Sequence, residues 1–181
     1  MTIPNLITIL RIILVPIFII YMINDRTLAS LIVFIIASIS DALDGFIARI
    51  FHQKSNLGAH LDPLADKILL MTAYITLAIF KMIPSWLAVL TISRDVIILL
   101  GVLILYLNGY PVKINPSLLG KATTCVQAAT IIIVLSHDYL DIEFLRIYSF
   151  WLVVLLTIAS GLQYIRSGML TLSQGGNTDF T

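Results

Sequence analysis

Charge is scarce in this chain. Only 12% of its 181 residues are Asp, Glu, Lys or Arg, against about 25% in ordinary soluble domains. The two signs nearly cancel, at a net +1, so there is no bulk electrostatic pull toward nucleic acid, and none is expected as a partner. There is one cysteine, Cys125, which excludes an internal disulfide; its apolar surroundings read as those of a buried, inert thiol. The three histidines, His52, His60 and His137, lack metal-ligand spacing and read as interfacial residues. No basic residue precedes the first apolar run, and Arg11 lies inside it. A cleaved signal peptide is therefore not expected, and the run reads as a permanent first span. No internal repeat of either hand is present, which weighs against a transporter.

Apolar side chains are abundant instead. They make up 59% of the residues, and the mean hydropathy is +1.02, which predicts an all-α integral membrane protein. A spanning helix needs about 20 mostly apolar residues. Six segments qualify, over about 5–23, 29–50, 64–82, 85–107, 118–136 and 143–166. The expectation is a single six-transmembrane-helix bundle over 1–170, followed by a polar, disordered tail at 171–181. An even number of spans puts both termini on one side. Arg49, Lys54, Lys113, Lys121 and Arg166 fall on that side, against Arg26, Lys81 and Arg146 on the other. The positive-inside rule then makes the termini cytoplasmic. Trp86, Trp151 and the tyrosines fit interfacial belts and bundle packing.

Against this background one stretch stands out, SDALDGFIARIFHQKSNLGAHLDPLADK from position 40, which holds four aspartates. Buried carboxylates are costly, and more so in a bilayer. Asp41 and Asp44 are three apart near the end of the second segment; Asp62 and Asp66 are four apart at the start of the third. Either spacing puts a pair on one helical face. Two neighbouring helices joined by a short loop can point both pairs at each other, and the carboxylates then repel unless cations hold them. Hard divalent ions such as Mg2+ or Mn2+ take oxygen ligands of this kind. Two of them offset four aspartates, so the cluster is read as a two-metal site on the cytoplasmic side. Gly45, Ala48 and Gly58 keep bulk away from the carboxylates and let an extended ligand approach the backbone. Arg49 adds a planar donor fork suited to phosphate. Lys67 is open between the same role and reaching out to the interface. Metals beside an arginine suit phosphoryl transfer.

Other charges in apolar segments have two readings. Arg94 either forms an ion pair with Asp95 that ties helices together or reaches a substrate phosphate; Lys121 is similar, and the substrate reading is preferred for both.

Asp41-x-x-Asp44-Gly45-x-x-Ala48-Arg49, then Gly58-x-x-x-Asp62-x-x-x-Asp66, resembles the CDP-alcohol phosphatidyltransferase signature at all eight fixed residues and every spacing over 26 positions. IPNLITILRI, LDPLADKIL and the Gly120-Lys121 turn also resemble that family, so the likeness runs from about 3 to 165. The resemblance implies a six-transmembrane, usually homodimeric enzyme of the bacterial cytoplasmic membrane. It implies transfer of a phosphatidyl group from CDP-diacylglycerol to an alcohol, with release of CMP. By position, Asp41, Asp44, Asp62 and Asp66 would hold two divalent cations, Mg2+ or Mn2+. Asp66 would also act as general base. Asp41, Asp44, Gly45, Ala48, Arg49 and Gly58 would line the CDP pocket.

The expected acceptor is glycerol 3-phosphate, its phosphate held by Arg94, Lys113 and Lys121. Phosphatidylglycerol is the alternative. Many family members that use glycerol 3-phosphate carry a second arginine eight residues after the one matching Arg94, where this chain has Val102. From a different class, a cation-coupled transporter would use the aspartates as an ion path, but its charges would be strung across the membrane rather than gathered at one side. An inactive scaffold is opposed by the intact set of four aspartates.

Overall fold

The computed structural model describes residues 3–51, 56–107, 118–140 and 142–174, and within these the side chains of 10–40, 67–101, 107, 118–140 and 142–167. The described residues form six α-helices: α1 (Ile3–Ile23), α2 (Thr27–Phe51), α3 (Asn56–Ile79), α4 (Ser85–Leu107), α5 (Leu118–Ser136) and α6 (Glu143–Gln174). Apolar run length alone located α4 and α5 to the residue. α1 runs unbroken through Pro16, although a proline there forfeits one backbone bond. The expected third segment began at 64, whereas α3 begins at Asn56 and takes Gly58, Asp62 and Pro63 into its first turns. α6 continues to Gln174, past the expected end near 166. The remainder of the expected disordered tail, 175–181, lies outside the described residues.

α3 runs along the middle of the bundle, packed against α1, α4 and α5; α2 flanks α1 and α5, and α6 flanks α4 and α5. Each buried face follows helical spacing. α1 contributes Val15, Phe18 and Met22; α3 contributes Leu69, Leu70, Ala73, Tyr74 and Leu77; α5 contributes Ile131, Val134 and Leu135. Phe18 and Phe34 meet with ring centroids 6.1 Å apart, locking α1 to α2.

Apolar side chains also cover much of the outside, and polar ones are found within. Ile13, Ile20, Val89, Trp86, Trp151, Leu155 and Leu162 are exposed, while Ser30, Thr76, Thr91, Thr123, Gln127, Thr130, Thr157 and Ser160 are buried. Hydroxyls at such positions usually bond back along their own helix. Thr91 donates to the Leu87 carbonyl at 3.1 Å and Thr130 to the Val126 carbonyl at 2.8 Å. Other hydroxyls donate across helices: Thr123 Oγ1 to the Leu156 carbonyl at 3.3 Å, and Tyr74 OH to the Gln127 carbonyl at 3.4 Å. Among the described residues, Leu118–Ser136 and Glu143–Ser167 are long and apolar enough to cross a membrane, and Leu10–Ile23, Thr27–Ser40 and Lys67–Ile79 are shorter apolar helical stretches. Cys125 corrects the sequence reading, because it is exposed on α5 rather than buried. In a bundle with an apolar exterior, apolar neighbours do not imply burial.

The turns after α1 and α3 share one design. Arg26 N–H donates to the Tyr21 carbonyl at 2.9 Å and Asp25 N–H to the Met22 carbonyl at 3.2 Å; Met82 and Lys81 repeat this on Leu77 and Ala78 at 2.9 and 3.1 Å. These are Schellman caps, which put one residue in the left-handed region. Here that residue is Asp25 (φ 55°) and Lys81 (φ 58°), not glycine. A left-handed non-glycine residue costs about 1–2 kcal/mol, part of which glycine loses again through its greater freedom in the unfolded chain. Lys81→Gly is therefore expected to stabilise the fold by roughly 0.5 kcal/mol. A thermal melt in detergent checks this, and a lowered midpoint would show that the lysine side chain stabilises the turn by more than the strain costs. At the α5–α6 turn, Glu143 accepts from Arg146 Nη2 at 2.5 Å and lies 2.7 Å from His137 Nε2, clasping the start of α6.

Candidate functional site

The eight motif residues fall on two helices. Asp41, Asp44, Gly45, Ala48 and Arg49 belong to the last turns of α2, and Gly58, Asp62 and Asp66 to the first half of α3. Both stretches are helical throughout, so the three- and four-residue spacings are true one-face spacings. Their side chains lie outside the described residues, as does all of Lys113. Chemically the donor set fits divalent cations: four carboxylates at one-face spacings on a pair of consecutive helices. Among the residues whose side chains are described, no group of three acidic, His or Cys residues gathers into a second site of this kind.

Directly after Asp66 the description of side chains resumes, and a charged network begins. Lys67 Nζ donates to Asp95 Oδ1 at 2.7 Å, and Arg94 Nη1 donates to the same oxygen at 2.6 Å. Asp95 is 4% exposed and Arg94 7%. Arg94 Nη2 donates to Ser160 Oγ, and the guanidinium carbon lies 5.8 Å from the centre of the Tyr164 ring. A Cβ placed on Gly161 would lie 4.0 Å from Arg94 Cγ. Ser160 is buried against the arginine, and Ala159 and Gly161 beside it are partly buried.

Of the two readings open for Arg94, the ion pair with Asp95 is present. The Nε of Arg94 is buried and has no hydrogen-bond partner among the described residues. Lys121 is exposed in the first turn of α5. Sequence reasoning missed Ser160, Tyr164 and the link from Lys67 to Asp95. The available signal was the rule that charges within apolar helices seek one another. Beside the network is a cavity of about 10 Å³, lined by Leu70, Met71, Tyr74, Thr91, Ile92, Asp95 and Gln127. It has room for one water, next to a Gln127 amide nitrogen that has no partner among the described residues.

An acid-rich motif on the second and third helices, followed in sequence by a buried charged network, is a residue set that suits phosphoryl-group transferases. Residues 1–159 match the model of one such family, and the chain belongs to it: the CDP-alcohol phosphatidyltransferases. The chain is 36% identical to the CDP-diacylglycerol--glycerol-3-phosphate 3-phosphatidyltransferase of Bacillus subtilis (strain 168), across 89% of this chain and 92% of that one. It is 39% identical to the probable cardiolipin synthase (CMP-forming) of Drosophila melanogaster, across 91% of this chain and 57% of that one. It is 34% identical to the cardiolipin synthase (CMP-forming) of Rattus norvegicus, across 94% and 62%. The chain thus spans nearly all of the bacterial relative and less than two thirds of the two animal ones.

Proposed function

We propose that this chain is an integral membrane enzyme that transfers the phosphatidyl group of CDP-diacylglycerol to glycerol 3-phosphate, releasing CMP. The observation that carries the reading is the complete eight-residue motif, set in unbroken helix on α2 and α3. The likeness to the Bacillus subtilis relative, over nearly its full length, supports the acceptor.

The division of labour follows from the chemistry of each group. Asp41, Asp44, Asp62 and Asp66 would hold two divalent cations, Mg2+ or Mn2+, which would supply positive charge to offset the diphosphate and the departing CMP. Gly45, Ala48 and Gly58 leave space for the nucleotide, and Arg49 presents donors to its phosphate. Asp66 accepts the proton of the acceptor hydroxyl as its oxygen attacks the phosphorus that carries the diacylglycerol. The new P–O bond forms as the bond to the CMP phosphate breaks. Arg94, Lys113 and Lys121 hold the acceptor phosphate. The apolar exterior of the bundle fits lipid, and the acyl chains of donor and product keep the reaction at the membrane. Six spans leave both termini, and the motif, at the cytoplasmic side; the working form is a homodimer.

Phosphatidylglycerol is the second acceptor to test. Val102 supplies no cation in α4, and two of the three guanidinium nitrogens of Arg94 are already engaged. The likeness to cardiolipin synthases points the same way. The purified chain, given CDP-diacylglycerol and one acceptor at a time, is expected to form phosphatidylglycerophosphate from glycerol 3-phosphate, as identified by mass spectrometry of the lipid. Cardiolipin formed from phosphatidylglycerol, with no product from glycerol 3-phosphate, would reverse the assignment and make Val102 the specificity clue.

A further inference from the structure

We infer that Asp95 is a positioning residue that keeps the Lys67 ammonium away from the metal-binding carboxylates. The inference rests on the two-cation reading of the acidic motif. Lys67 directly follows Asp66 in α3, so their Cα atoms are about 3.8 Å apart. An ammonium on a flexible four-carbon stem is a mobile point charge. Beside a set of carboxylates in a medium of low dielectric, it neutralises one of them unless a closer anion holds it. It then occupies oxygen lone pairs that a divalent cation needs.

Asp95 is such an anion, and it belongs to a different helix. Its Oδ1 accepts from Lys67 Nζ at 2.7 Å, and Asp95 is the one anion that Lys67 meets among the described residues. The carboxylate is itself braced, because Arg94 Nη1 donates to the same oxygen at 2.6 Å. Arg94 is fixed in turn from α6, by the Ser160 hydroxyl and the Tyr164 ring. A chain of contacts thus runs from α6 through α4 to the residue beside Asp66. Lys67 is half-buried and Asp95 buried, so bulk water does not stand in for the carboxylate once it is removed. The freed ammonium is then available to the acidic set, whose last member precedes it directly in α3.

The test is Asp95→Asn, which is isosteric and neutral. Mn2+ binding to the purified full chain in detergent is followed by the electron-paramagnetic-resonance signal of free Mn2+, alongside the Mn2+ dependence of CMP release. The half-saturating Mn2+ concentration is expected to rise about tenfold in both readouts. Adding Lys67→Gln to Asp95→Asn is expected to restore the wild-type value, and Asp95→Glu, which keeps the charge, to hold near it. A merely structural role for Asp95 predicts neither the shift nor its suppression by a lysine substitution. Should Asp95→Asn alone fail to fold, the double variant, which loses one charge of each sign, and Lys67→Gln alone still decide. Both are expected to bind Mn2+ as the wild type does. Several-fold tighter binding by Lys67→Gln would mean the ammonium already competes at the carboxylates, and would overturn the inference. An unchanged half-saturation in a folded Asp95→Asn variant would overturn it alone. A wild-type chain that binds no Mn2+ would remove the two-cation reading and this inference together.

Discussion

Asp66→Asn is expected to reduce phosphatidyl transfer by about 10²- to 10⁴-fold while leaving the fold intact. The substitution keeps the size and shape of the side chain and removes its ability to take a proton. It also removes one of the negative charges proposed to hold the cations, so the loss belongs at the upper end of that range. Asp66 lies on α3 one residue before the described network of Lys67, Asp95 and Arg94. The packing of that helix on its neighbours rests further along, on Leu69, Leu70, Ala73, Tyr74 and Leu77. A folded protein that still melts cooperatively but has lost CMP release is therefore the expected pair of results. Retained turnover would sink the assignment of Asp66 as general base.

The second large effect is that of metal removal. Stripping the purified chain with EDTA is expected to lower CMP release by at least about 10³-fold, because the diphosphate and the departing CMP then develop charge with nothing to offset it. Mg2+ or Mn2+ should restore the rate. Binding should also register without turnover: a ligand specific to the folded state at 100 times its Kd stabilises by about 2.7 kcal/mol, so added Mn2+ is expected to raise the thermal midpoint. If the four carboxylates meet as proposed, they repel one another when empty, and the apo protein is then the less stable form. Full activity in EDTA, with no thermal response to Mn2+, would mean that the aspartates serve some other purpose.

These expectations come mostly from residues whose significance is visible in the sequence. The motif is legible because its chemistry is incompatible with its surroundings: aspartates in an apolar chain require an explanation that a solvated face would not. α4 and α5 are legible because long, mostly apolar runs bounded by Pro84, Asn108 and Pro116 leave little choice of ends. The start of α3 was hidden for the converse reason. Gly58, His60, Asp62 and Pro63 interrupt the hydropathy there, yet the helix continues through them. α6 runs on through the polar residues after Arg166, where apolar run length gives no signal.

The Lys67–Asp95 link was beyond reach in a different way. The two residues are 28 positions apart on separate helices, and periodicity identifies the face of a helix but not the neighbour it meets. The pairing of Arg94 with Asp95 was one of two readings open from the sequence, and the spacing could not decide between them, since consecutive helical residues do not face each other. It forms because Ser160 and Tyr164 on α6 hold the guanidinium where Nη1 reaches back to the carboxylate. The misplacement of Cys125 shows the same limit: hydropathy ranks a residue as apolar without saying whether an apolar residue faces inward.

The most direct test of the account is CMP release from CDP-diacylglycerol by the purified chain in liposomes containing Mg2+, with and without an added alcohol acceptor. The account predicts CMP in step with a new phospholipid, dependent on both the acceptor and the cation. No CMP under any acceptor, from a folded protein that instead carries cations across the liposome membrane, would contradict it and return the four aspartates to an ion path.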